Sequence, residues 1–333
     1  MKTEMKFLKR FLISGVLLFL LGSVSAQQVP MYSQYIMNGF LINPSFAGND
    51  GYTTVNLTAR EQWVGIASAP STYAASFQTR MLKTSYISKS TSVRRKAVRP
   101  TKGGRVGLGG YFFNDQNGIV KRTGAQIAYA YHIPMGQNQL SFGLAATAYQ
   151  YAIDLDGVLL RDVDDAYLNN YDRVVFIPDF NFGVSFTTYD YYVAFAMSSL
   201  TRGSLMLGNQ GDNNRSELGH YFITGGYKFT MPNRDFILEP SVLIKSSDMV
   251  FKAAQVDLTT RLYYKEDFWG GLSWRTNDAM VMMMGMKYDR FYFAYAFDFT
   301  LTDIRSQSFG SHELSMAVKF GESARRYRWI NRY

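Results

Sequence analysis

The chain has no cysteine. A protein of 333 residues without thiols carries no disulfide framework and offers no thiolate to a zinc site. Histidine is scarce as well. His132, His220 and His312 lie far apart, with no pair at ligand spacing on one element, so a transition-metal centre has little to form on. Beyond the first 26 residues, no stretch approaches the roughly 18 to 20 apolar residues that a membrane-spanning helix needs. No composition break or linker divides the remainder into two domains.

What is present begins with an address. Lys2, Lys6, Lys9 and Arg10 precede the apolar run from Phe11 to Leu21, and Val24, Ser25 and Ala26 follow. Residues 1–26 therefore read as a secretory signal peptide cleaved near Ala26. Its loss takes four basic residues and Glu4, lowering the formal charge from +9 to +6. The mature chain is basic but not extreme, and nothing in it points to nucleic acid. Tyr and Phe number 24 and 25 against eight Pro. An exported, disulfide-free and aromatic-rich chain of slightly negative mean hydropathy fits an all-β transmembrane barrel of the outer membrane; a large secreted β-sandwich shares much of that profile.

Alternation favours the barrel. In "HELSMAVKF", Leu314, Met316, Val318 and Phe320 share one face and Glu313, Ser315, Ala317 and Lys319 the other, as a strand between hydrocarbon and water requires. "DFNFGVSFT" and "KAAQVDLTTRLYY" repeat the pattern. These runs approach the 9 to 11 residues of a membrane strand rather than the about 5 to 6 of a soluble sheet. About fourteen such segments fall between residues 52 and 320, among them 178–189 and 219–231, giving an even count. Tight connections near Gly136, Tyr189–Asp190, 231–235, 265–267 and Asp289 fall on one side, taken as periplasmic. Long ones at 154–177, 200–218 and 301–310 fall on the other. Met282, Met284 and Met286 form a lipid-facing stripe.

The predicted inward face carries Arg60, Arg80, Lys228, Lys245, Arg261, Arg275, Lys287 and Lys319 against Glu239, Asp257, Asp298 and Glu313. Pairing across the lumen is the preferred reading, a charged conduit the other. Inward Tyr149, Tyr151, Tyr263 and Tyr292 argue against a wide pore. The acidic loop holding Asp154, Asp156, Asp162, Asp164, Asp165 and Asp172 lacks the spacing of an EF-hand and reads first as solvated, second as a calcium site. Nothing asks for catalysis or a cofactor. Two cationic segments converge on the periplasmic side: 83–103, with Arg94, Arg95 and Lys96, and the end, with Arg325, Arg326 and Arg328. They are either solvated tails or a docking surface for an acidic or peptidoglycan-associated partner.

Residues 32–50, "YSQYIMNGFLINPSFAGND", fit neither strand nor helix. With the following "LTAREQWVGIASAPSTYAASFQTRM", they resemble the start of the PorP/SprF family of type IX secretion system membrane proteins. The matching positions are Tyr32, Ser33, Gln34, Tyr35, Asn38, Asn43, Pro44, Ala47 and Gly48, then Arg60, Gln62, Trp63, Gly65, Ala69, Pro70 and Thr72. "GSHELSMAVKFG" is similar to the family's closing strand, whereas the basic extension beyond Phe320 departs from it. The resemblance implies a non-enzymatic barrel of the export and gliding machinery, associated with periplasmic ring or peptidoglycan-binding components or with secreted cargo. A porin or small-solute transporter is the alternative, and a barrel hydrolase a third. The expected organisation is signal peptide 1–26, plug or lead-in 27–51, barrel 52–320 and basic periplasmic extension 321–333.

Overall fold

The computed structural model describes residues 32–81, 105–135, 138–153, 174–200, 204–206, 214–216, 219–232, 235–247, 249, 251 and 254–321. Fourteen strands follow one another around a ring. They are β1 (Thr53–Glu61), β2 (Ser71–Met81), β3 (Val106–Asn117), β4 (Val120–Met135), β5 (Asn138–Ile153), β6 (Val174–Thr187) and β7 (Tyr191–Ser198), then β8 (His220–Tyr227), β9 (Phe236–Ser246), β10 (Gln255–Tyr264), β11 (Phe268–Arg275), β12 (Ala279–Tyr288), β13 (Phe291–Thr300) and β14 (Ser311–Phe320). Each pairs antiparallel with the next, and β14 pairs with β1. The sheet thus closes on itself and leaves no edge, the condition for a β-structure to stand in hydrocarbon.

The sequence pattern explains which way the wall faces. Along β1, Thr54, Asn56, Thr58 and Arg60 are buried while Leu57 is exposed. Along β2, Tyr73, Phe77 and Met81 point out and Thr72, Ser76 and Arg80 point in. Met282 and Met284 are 62% and 63% exposed, as the outward stripe requires. The molecule is inverted relative to a soluble protein, with polar groups inside and a belt of Leu, Met, Phe and Tyr outside.

The fourteen-strand reading holds, with local corrections. The sixth strand begins at Val174, not 178, so it takes the last residues assigned to the acidic loop. The eighth is interrupted at Lys228, after which Phe229–Thr230 resumes pairing with β9. The long connection 200–218 holds a small hairpin of Ser204–Met206 with Asn214–Ser216. Tight turns are not confined to one end either: β3–β4 turns through Gly118 and Ile119, and β11–β12 through residues 276–278, at the same end as the longer connections. Gly118 has φ +61°, the left-handed geometry a two-residue hairpin uses.

Placing a charge on the outer face should be costly. Leu272→Arg, midway along β11, is expected to destabilise folding into lipid vesicles by about 2–4 kcal/mol; urea titration measures it. An unchanged midpoint would show that this face does not meet lipid.

Candidate functional site

The inner face of the ring is occupied by the protein's own residues 32–50. Two 3₁₀ turns, Gly39–Leu41 and Pro44–Phe46, compact the segment. The Asn43 side chain caps the second by accepting from Ser45 N at 2.9 Å, and Pro44 occupies the first position of that turn, where no amide donor is needed. Contacts reach the wall on all sides. Phe40 and Ala47 pack with Ala128, Ala130 and Ala145 of β4 and β5. Tyr35 and Ile36 pack with Ala196, Phe222 and Leu243 of β7, β8 and β9. Met37 lies against the cluster around Tyr263, Trp269 and Met283. Asn38 Nδ2 donates to Ser76 Oγ of β2 at 2.9 Å.

The segment runs lengthwise. Near its start, Ser33 sits among Arg60, Arg275, Asp298 and Glu313, which lie where β1, β11, β13 and β14 meet the connections 62–70, 276–278 and 301–310. At its far end Asp50 pairs with Lys319 at 2.9 Å, and Asn49 Oδ1 accepts from Gln139 Nε2 at 2.6 Å. Both partners belong to the opposite rim, where β14 ends and β5 begins.

The charged node has a specific geometry. Arg60 bridges Asp298 at 2.8 Å and Glu313 at 3.1 Å, with all three side chains at most 2% exposed. The Ser33 hydroxyl donates to Asp298 and accepts from Arg60 at 2.7 Å and Arg275 at 3.1 Å. Glu313 takes the backbone amides of Ser33 and Gln34 on its two oxygens, at 2.7 and 2.9 Å. Arg275 continues the network to Asp257, Asp278 and Asp298, and Lys245 reaches Asp257 at 3.2 Å. Buried charges persist only when paired and hydrogen-bonded. Here the backbone of the segment supplies donors that the wall alone lacks.

Four inward glycines make room. A Cβ on Gly107 would lie 2.0 Å from the Ala47 carbonyl oxygen, on Gly109 2.6 Å from the Phe40 ring, on Gly143 2.2 Å from Ser45 N, and on Gly183 1.9 Å from Asn43 Oδ1. These positions on β3, β5 and β6 form a trough matched to the Asn-Pro-Ser-Phe-Ala stretch. Asn43 also donates to the Phe195 carbonyl at 3.1 Å. His132 spans Ser141 Oγ at 2.8 Å and the Ala47 carbonyl at 3.0 Å, so it serves the segment.

The family-motif positions therefore fall into two groups. Tyr32, Ser33, Gln34, Tyr35, Asn38, Asn43, Pro44, Ala47 and Gly48 are buried in the lumen, and of these Ser33 and Gln34 bond to Arg60 and Glu313. Gln62, Trp63, Gly65, Ala69 and Pro70 shape the connection after β1, which is laced to 301–310 by Val64 N to Gly310 O and Phe309 N to Val64 O. Thr72 donates to Asp115 at 2.6 Å. Arg261–Glu239 completes the expected inward pairing at 3.1 Å. Arg94, Arg95, Lys96, Arg325, Arg326 and Arg328, and the acidic stretch 154–172, lie outside the described residues. Among the described residues no cluster of three or more His, Asp or Glu is placed to hold a metal ion. Sequence reasoning foresaw ion pairing but missed that Ser33 stands inside it. The available signal was inward glycine in "VGLGG", "SFGLAA" and "FNFGVSF", where a wall facing open water has no need of it.

The model of the family described as "Type IX secretion system membrane protein PorP/SprF" matches residues 24–318, and the chain belongs to that family. No curated protein matches this sequence. Among solved structures, the outer membrane protein Omp33 of Acinetobacter baumannii is similar over 81% of this chain and 100% of its own, at 7% identity and a TM-score of 0.45. The porin KdgM is similar over 80% and 99%, at 10% identity and 0.35. A mutant porin of Rhodopseudomonas blastica follows, over 81% and 99%, at 7% and 0.32. Likenesses at these scores add nothing to the closed strand ladder, which defines the fold.

Two substitutions test the seat of the segment. Arg60→Ala strips Glu313 of its guanidinium and leaves Asp298 with Arg275 alone, and should destabilise by about 3–5 kcal/mol. Gly143→Val should expel the segment while the outer face stays intact. A Phe40→Cys reporter, at a site 1% exposed, is expected to resist an aqueous maleimide in the parent and to react once either change is added. Rapid reaction in the parent would overturn the packed position.

Proposed function

We propose that this PorP/SprF member is a plugged, non-enzymatic barrel of the outer membrane, reached after signal-peptide cleavage near Ala26. It anchors or assembles components of the type IX export and gliding machinery and docks periplasmic partners. The supporting observation is the filled lumen. Residues 32–50 cross it and leave flanking cavities of about 90 Å³ each, far below what a folded cargo or an open solute path needs. A barrel of this kind works through its rims and its lipid-facing wall.

On this reading residues 27–51 are the plug, 52–320 the barrel and 321–333 a periplasmic extension. The connection between β2 and β3 and the chain beyond β14 both leave the ring at the rim that carries Asp50 and Lys319. Arg94, Arg95, Lys96, Arg325, Arg326 and Arg328 then bring cationic charge to that one face, which steers an acidic partner. The acidic stretch 154–172 leaves the opposite rim as a solvated loop.

Planar-bilayer recordings separate this reading from a porin. The intact protein should be electrically silent, and deleting residues 32–50 should open a conductance; an open channel in the intact protein would favour a solute pore. In cells, loss of the protein should abolish surface cargo secretion while small-solute uptake is unchanged. Reversing the six basic residues should weaken co-purification with periplasmic components and leave barrel insertion intact.

A further inference from the structure

The luminal segment has a direction as well as a seat. Ser33 N and Gln34 N donate to Glu313 at 2.7 and 2.9 Å, and Gln34 Nε2 donates to the Glu313 carbonyl at 3.1 Å. Glu313 is the third residue of β14, Arg60 the last but one of β1, Arg275 the last of β11 and Asp298 the third from the end of β13. At a strand rise of about 3.3 Å per residue, these partners of Ser33 lie within about 7 Å of the rim that carries the longer connections. Trp63 N donates to Ser311 Oγ at 3.1 Å, which ties the connection 62–70 to the same corner. From there residues 34–50 run to the opposite rim, leaving flanking cavities of about 90 Å³ each. Chain preceding Ser33 has no room to turn back beside them. Its way on is the outer mouth.

That direction meets a fixed length of chain. Ala26 precedes Ser33 by seven residues, which span at most about 25 Å when fully extended. Until cleavage, the apolar run Phe11 to Leu21 keeps the amino end in the cytoplasmic membrane. Seven residues reach back along a wall whose apolar band is about 25 Å tall, and none are left to cross the periplasm. Once Gln27 is free, the five residues before Tyr32 extend to about 17 Å and clear the rim.

We propose that removal of the signal peptide is the step that lets the luminal segment seat. The ring closes around a segment whose freed amino terminus points outward and comes to rest on the cell surface, beside the connections 62–70 and 301–310. The uncleaved chain can form the strand ladder but cannot bring Ser33 to Glu313 and Arg60, so its lumen stays unfilled. This rests on the signal-peptide and orientation readings above and adds to them an order of events.

Single cysteines in an otherwise cysteine-free chain read the outcome. A membrane-impermeant maleimide is applied to intact cells carrying Gln28→Cys, with Ser306→Cys in an outer connection and Asp267→Cys in a short turn as exposed markers. Gln28→Cys should label as Ser306→Cys does, while Asp267→Cys labels only after permeabilisation. Labelling of Gln28→Cys only after permeabilisation, or in neither state, overturns the proposal. If the two markers exchange behaviour, the orientation reading fails and takes the proposal with it. For the order of events, Ala26→Phe blocks a cleavage that needs small residues, and Phe40→Cys reports seating. In the folded, heat-modifiable fraction the uncleaved chain should label about tenfold faster or more, since a buried thiol reacts only while its site is open. Equal protection overturns the proposal. A second variant does not depend on export: the mature chain with a compact domain placed before Gln27. Folded into preformed vesicles, it cannot pass its amino end across the bilayer and should expose Phe40→Cys; folded in detergent micelles, it should protect it. The same labelling in both media overturns the proposal.

Discussion

A guanidinium in the lumen of a barrel must be neutralised where it stands, and the position of Arg60 governs much of this molecule. The register of β1 on β14 sets Arg60 opposite Glu313, and that pair holds Ser33 and Gln34. Closing the ring and seating the segment are therefore coupled through the same residues. A one-residue slip in that register would turn one of Arg60 and Glu313 toward lipid and leave the other unpaired, so the seam has a single acceptable alignment. Such buried ionic networks add little net stability compared with apolar packing, because desolvation offsets the attraction. Their value here is specificity of alignment and of fit.

The trough of glycines complements this from the opposite wall. Charge fixes the segment at one rim and shape fixes it in the middle, with Gly143 and Gly183 touching the turn that Asn43 caps. These are different kinds of constraint, one directional and one steric, and they fail differently. An unpaired Asp298 tolerates water if the segment leaves; a Cβ at Gly143 tolerates nothing while Pro44 stays. Lys319 and Asp50 then tie the exit of the segment to the end of β14.

Much of the wall was legible because a strand between lipid and a polar interior repeats every two residues, and "HELSMAVKF" states that period without ambiguity. Boundaries were less legible: nothing local distinguishes Val174–Val175 from loop, and their pairing with Ala152 and Tyr151 is a long-range event. The luminal segment was recognisable as irregular, and its motif placed it in a family. Its route was not, since Ser33 meets Asp298 across 265 residues of sequence. Only the closed ring brings those positions together. The basic segments remain described by composition alone.

Fourteen strands return a chain to the side from which it set out. The segment from Tyr32 to Asp50 is a fifteenth traverse, made inside the other fourteen. Parity is thereby changed: Tyr32 stands beside the connections 62–70 and 301–310, while Gly321 stands at the opposite rim with Lys319. The described chain thus starts and finishes at opposite rims, although an even-stranded barrel by itself starts and finishes at one.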